Sequence, residues 1–119
     1  VSTFRLPRPP SVNNLFLTKG RLRIPTPAYK AWRAEAYKMI MVQRVGQVRT
    51  PIAGPYRAEL VVQRSRGDLD NFYKAVSDAL VHMGVIVDDS FADEIHLYWG
   101  DVEGCMVTVE PMETTIPTQ

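Results

Sequence analysis

With 119 residues, 45% hydrophobic and 23% charged, the chain has the size and composition of one globular domain around a single core, with no room for a second domain. It has no apolar run near the roughly eighteen residues of a membrane span, and Val1-Ser2-Thr3-Phe4-Arg5 lacks the layout of a secretory signal, so a cytoplasmic protein is expected. The one cysteine, Cys105, excludes an internal disulfide and a Cys-rich zinc site and reads as core filler, while the net charge of +1 implies no particular partner.

In chain order, Phe4-Arg5-Leu6 alternates like a short strand, which Pro7, Pro9 and Pro10 stop because proline offers no ladder N–H. Residues 11–25 are rich in turn formers (Ser11, Asn13, Asn14, Gly20) and basic side chains (Lys19, Arg21, Arg23), and are expected to form a long polar loop with a binding role. Thr26-Pro27 is a helix start, and Tyr29, Trp32, Ala36, Met39 and Ile40 recur at helical spacing, which predicts a helix over 27–44 with Trp32 in the core. A linker follows between Gly46 and Pro51.

Tyr56, Ala58, Leu60 and Val62 alternate with Arg57, Glu59 and Gln63, which predicts a strand over 56–64 with one buried face. From Asp68 to a stop at Gly84, Leu69, Phe72, Val76, Ala79, Leu80 and Met83 share one arc of a helix, opposite Asp70, Lys74, Ser77 and Asp78. The apolar run Val85-Ile86-Val87 is expected near the core, with further strands over 95–99 and 106–110 and a frayed tail from 111. This order predicts an α+β domain, a mixed β-sheet with two main helices packed on it and a core over about residues 4–110.

Charge is unevenly distributed. Residues 1–50 hold ten Lys and Arg against one acid, Glu35, for a net of +9, and residues 51–119 hold four against twelve, for −8. Either the halves neutralise each other across the fold, or a basic part attracts phosphates while an acidic part holds divalent cations. Asp68-Leu69-Asp70-Asn71 places two carboxylates at a helix start, where they either cap the helix or offer oxygen ligands to a hard cation. Asp88-Asp89 is either an exposed turn or, if residues 85–87 lie beside the end of the strand near Gly67, the second part of one carboxylate cluster that a shared cation would neutralise. Lys74 has i,i+4 spacing from Asp70, suited to an ion pair or to stabilising charge on a phosphate. His82 and His96 have no partner at ligand spacing and read as structural.

Three motifs in register, Arg8-Pro9-Pro10-Ser11-Val12-Asn13-Asn14, Asp68-Leu69-Asp70-Asn71 with Lys74, and Asp88-Asp89 after an apolar run, resemble the RusA family of Holliday junction resolvases from about Phe4 to Glu110. The resemblance implies a homodimeric endodeoxyribonuclease, typical of phages and prophages, that uses Mg²⁺ or Mn²⁺ to make symmetric cuts in four-way DNA junctions. By position it implies metal-binding, catalytic carboxylates at Asp68, Asp70 and Asp89, with Asp88 adjacent, and a functional lysine at Lys74. Arg8, Asn13, Asn14, Lys19, Arg21, Arg23, Lys30, Arg33, Arg64, Arg66 and Asn71 are the candidate DNA contacts, and no membrane or small-molecule cofactor is expected. Arg64-Ser65-Arg66-Gly67 is less basic than the family pattern, which bears on junction affinity rather than metal chemistry. Val81 is a candidate for the dimer interface. A flap-cutting or nonspecific metal nuclease and a catalytically silent DNA-binding protein are the alternatives.

Overall fold

The computed structural model describes residues 1–47 and 50–112. Its centre is strand β4 (Tyr56–Gln63), whose apolar residues fall on every second position, so that Tyr56, Ala58, Leu60 and Val62 are buried on one face. β6 (Cys105–Pro111) pairs antiparallel with β4 and contributes Cys105, Val107 and Val109 to the same face. β1 (Ser2–Leu6) pairs antiparallel with β6 and adds Phe4 and Leu6. β5 (Ala92–Gly100) runs parallel to β4 on its other side, giving a mixed sheet of order β1-β6-β4-β5.

Helices α1 (Pro27–Gln43) and α2 (Tyr73–His82) cover that face. Thr26 caps α1 by accepting from the Tyr29 N–H at 3.1 Å, with Pro27 at the first helical position, as the sequence predicts. Tyr29, Trp32, Ala36 and Ile40 are its buried stripe, and the Trp32 indole N–H donates to the Pro7 carbonyl at 2.9 Å. At the end of α1 the Gln43 side-chain amide bonds both the N–H and the C=O of Arg5 at 2.8 Å, closing off part of the β1 edge.

The buried arc of α2 is wider than the apolar positions alone suggest. Ala75 and Ser77 are buried too, because the helix packs on the sheet with one side and on its flanking turns with another. Ser77, assigned by its chemistry to the polar arc, is 2% exposed. The segment 68–83 is also not one helix. Gly67 takes a φ of 101°, Asp68 stays extended, and a 3₁₀ turn (Leu69–Phe72) precedes α2.

Residues 11–25 differ most from expectation. They form a 3₁₀ turn (Val12–Asn14) and a hairpin of β2 (Phe16–Lys19) and β3 (Leu22–Pro25), not an irregular loop. Gly20, at φ 61°, leads its two-residue turn, and Leu15 is buried at its base. Leu17 and Leu22 remain exposed, so no buried face marks the hairpin in the sequence. The expected frayed tail also begins in order: Pro111 pairs with Tyr56 and the Met112 N–H bonds the Pro55 carbonyl at 2.9 Å, while residues 113–119 lie outside those described.

Cys105 is fully buried, and burial pushes its thiol up to about 12. Alkylation by iodoacetamide at pH 8 is therefore expected only after denaturation, and rapid labelling of the folded protein would contradict this packing.

Candidate active site

Two acidic segments flank α2. Asp68 and Asp70 follow the end of β4, while Asp88 and Asp89 precede β5 near the start of β4, where Tyr56 is paired with Ala92. Val85-Ile86-Val87 does not lie beside the end of β4. It bridges in parallel to Ile52, with Ile52 N–H bonding the Val85 carbonyl and Val87 N–H the Ile52 carbonyl, each at 3.0 Å. This overturns the condition on which both acidic pairs would leave the sheet at one point. Among the described residues, no three of His, Cys, Asp and Glu are gathered as a metal-ligating group.

The segments differ locally. Asp68 makes no side-chain capping bond, although its carbonyl accepts from the Asn71 N–H at 3.1 Å, so the capping reading of that carboxylate fails. Asp68 and Asp70 are both exposed. Asp88 does cap: it accepts from the Ser90 N–H at 2.9 Å, opening a 3₁₀ turn (Asp89–Phe91), and that bond holds its carboxyl below the usual range.

Lys74 joins the helix to the second segment. Its ammonium lies 3.1 Å from Asp78 and 3.6 Å from Asp89, and the Asp78 bond, followed by the charges of both acids, raises its pKa despite some desolvation. The i,i+4 partner of Lys74 is thus Asp78 instead of Asp70, because Asp70 sits in the 3₁₀ turn, outside the α-helical register. Asp78 was the residue missed; the Lys74-to-Asp78 spacing, the same as that from Asp70 to Lys74, was the available signal.

Two arginines cover an aromatic pair near the first segment. Arg8 lies over the Phe72 ring at 5.5 Å, Phe72 meets Trp99 edge-on at 5.9 Å, and Arg64 lies over Trp99 at 5.9 Å. The Phe72 ring also comes within 4 Å of where a side chain at Gly67 would project, which puts this arginine–aromatic row beside the Asp68 turn. Arg66 is exposed there, and Asn71 is half-buried in the 3₁₀ turn. Asn13 and Asn14 are exposed in the Val12–Asn14 turn, Lys19, Arg21 and Arg23 are exposed on the hairpin, and Lys30 is exposed on α1. Arg23 covers Phe16 at 4.3 Å and Arg33 covers Tyr29 at 4.5 Å. Arg44 is used differently: it is buried and donates to the Met83 carbonyl at 2.7 Å, tying the ends of the two helices together.

His82 stacks on Tyr37 at 4.3 Å between the helices, and His96 lies in β5 with Nε2 3.9 Å from Glu94. Val81 is half-buried against the core and lines a shallow depression with Asp78, His82, Val87, Asp88 and Asp89.

A small mixed-sheet domain with exposed, uncapped carboxylates beside a row of arginines is suited to chemistry on a phosphodiester backbone. Residues 7–110 match the family model described as endodeoxyribonuclease RusA. The chain is also similar to the crossover junction endodeoxyribonuclease rusA of Enterobacteria phage HK97, 29% identical over 102 residues that span 82% of this chain and 81% of the relative. It belongs to the RusA endodeoxyribonuclease family.

Proposed function

We propose that this protein is a Holliday junction resolvase, a structure-selective endodeoxyribonuclease that makes paired cuts in four-way DNA junctions during recombination and repair. The observation that carries the reading, beside family membership, is the exposed pair Asp68 and Asp70 next to the Arg8–Phe72–Trp99–Arg64 row. Carboxylates free of capping bonds, set where arginines draw in phosphates, have little stabilising role in the fold itself.

The donor set fits Mg²⁺ or Mn²⁺ in its chemistry, since both accept hard oxygen ligands. Mg²⁺ keeps several waters and needs only one or two carboxylates plus phosphate oxygens, so an acidic pair meets its needs without a three-residue group, of which there is none among the described residues. Asp68 and Asp70 on the first segment, and Asp89 with Asp88 adjacent on the second, would each hold such an ion with water and phosphate oxygens completing its shell. When bound, the ion supplies an activated water and a counter-charge for in-line attack on the phosphodiester. The chain's own residues do the rest. Arg8 and Arg64 orient the backbone, Lys74 supports charge on the scissile phosphate or leaving oxygen, and Asp78 holds the Lys74 ammonium in place.

The hairpin arginines and Lys19 extend the DNA contact. Changing Lys19, Arg21 and Arg23 together to alanine is expected to weaken junction binding and to flatten its salt dependence by roughly 0.9 in log–log slope for each phosphate no longer neutralised. An unchanged slope would place the hairpin off the backbone.

A four-way junction is two-fold symmetric and needs two nicks, so a homodimer with one site per subunit is the simplest arrangement. The test is a purified mixed dimer with one Asp70→Asn subunit, acting on supercoiled cruciform plasmid. Open circles are expected from the mixed dimer and linear product from the intact one. Equal rates of linearisation, or an active monomer in sedimentation, would overturn paired cutting. A protein that binds the junction but leaves it uncut at every divalent cation tried would overturn the nuclease reading.

A further inference from the structure

On the core side of the Asp89 turn lies a set of hydroxyl groups that the chemistry above does not use. Tyr56 is fully buried, and its hydroxyl donates to the Asp89 carbonyl at 3.3 Å. Tyr73 and Ser77, four residues apart on α2, bring two more hydroxyls to the same place. The Tyr73 hydroxyl neighbours those of both Tyr56 and Ser77, yet neither Tyr73 Oη nor Ser77 Oγ has a partner at hydrogen-bonding geometry. Buried, unpaired hydroxyls are costly, and phenylalanine or alanine would fill the same space without the penalty.

We propose that Tyr56, Tyr73 and Ser77 form a hydroxyl chain that fixes the position of the Asp89 turn, with Tyr56 as its positioning residue; this rests on the reading of Asp89 as a cation ligand. The direction of the chain follows from its end. A carbonyl can only accept, so Tyr56 commits its single proton to Asp89 and can then only accept from Tyr73. Tyr73, having donated, can only accept from Ser77. With the protons ordered in this way, all three O–H dipoles point towards Asp89. The other bonds of the turn are backbone or local ones: Asp88 Oδ1 accepts from the Ser90 N–H, the Asp88 carbonyl from the Phe91 N–H, and the Asp89 carbonyl from the N–H of Ala92 at the start of β5. Two side chains add to these: Tyr56 reaches the Asp89 carbonyl from the core and Lys74 its carboxylate from the solvent side.

The test uses Tyr56→Phe, Tyr73→Phe and Ser77→Ala in the full chain, with amide hydrogen exchange read residue by residue and cleavage of a synthetic four-way junction followed against Mg²⁺ concentration. For Tyr56→Phe, exchange at Ser90 and Phe91 is expected to quicken about tenfold while β4 and β6 are unchanged, consistent with losing one hydrogen bond. The kcat is expected to fall about tenfold and half-saturation by Mg²⁺ to rise, with the junction KM within about twofold. Tyr73→Phe and Ser77→Ala should act in the same direction and more weakly. Unchanged exchange at Ser90 and Phe91, or uniform acceleration across all strands, overturns the proposal. If Tyr56→Phe does not fold, the same local readout in the other two variants decides it. If the wild-type protein cuts no junction with any divalent cation, the nuclease reading fails, and exchange at the turn still decides whether the hydroxyl chain holds it.

Discussion

Asp70→Asn is expected to lower the rate of junction cleavage by about a thousandfold or more, while leaving junction binding intact or tighter. Asp70 is exposed on the 3₁₀ turn, and its carbonyl, which accepts from the Tyr73 N–H at the start of α2, is unaffected by the substitution. Asparagine keeps the shape and removes the charge, so stability should change by no more than about 0.5 kcal/mol. Binding improves because one negative charge fewer faces the phosphates. Lys74→Ala should cost less, about a hundredfold, the scale of removing one electrostatic donor. Single-turnover cleavage of an end-labelled junction and a gel shift on the same preparation measure both effects. Near-normal turnover by the folded Asp70→Asn protein would remove Asp70 from the site, and equal losses of cleavage and binding would make it a DNA contact.

The fold was legible where burial sets a period. β4 could be read because one face is buried and the other is not, and α1 because Thr26, Pro27 and an apolar stripe agree. The β2–β3 hairpin was hidden because Leu17 and Leu22 lie in solvent among Lys19, Arg21 and Arg23, so the sequence carries turn chemistry without a buried face. Ser77 was misplaced because a hydroxyl reads as polar wherever it lies, and only tertiary packing buries it. The acidic motifs were legible as chemistry, but their relation in space was not. That depended on whether residues 85–87 would lie beside the end of β4 or beside Ile52, and both are short apolar neighbours that periodicity cannot tell apart. The Lys74 pairing turned on where the α-helix begins, and helix boundaries are the least readable feature of a sequence.

Gly104→Ala is expected to destabilise the protein by about 2–5 kcal/mol, lowering Tm by roughly 10 °C or more. Gly104 precedes β6 with a φ of 70°, and a Cβ there would lie 2.3 Å from the Leu6 carbonyl oxygen and 3.3 Å from the Arg8 N–H nitrogen, both backbone atoms that cannot rotate away. It is also bonded on both sides to Gln63: its N–H to Oε1 at 3.0 Å and its carbonyl to the Gln63 N–H at 2.9 Å. The end of β1, the start of β6 and the end of β4 therefore meet at a residue with no side chain. Gly46→Ala is the control, since Gly46 has a similar φ of 78° with no atom within 4 Å of the added carbon, and should cost only the conformational part, about 1–2 kcal/mol. The difference between the two variants in denaturant unfolding measures the close approach, and equal losses would mean that β1 does not rest on Gly104. The same contact reaches the candidate site. β1 leads through Pro7 to Arg8, whose guanidinium covers Phe72 beside the Asp68 turn, so moving the end of β1 displaces the proposed phosphate contact as well as loosening the sheet. At a temperature where Gly104→Ala is still folded, it should therefore bind the junction more weakly than Gly46→Ala.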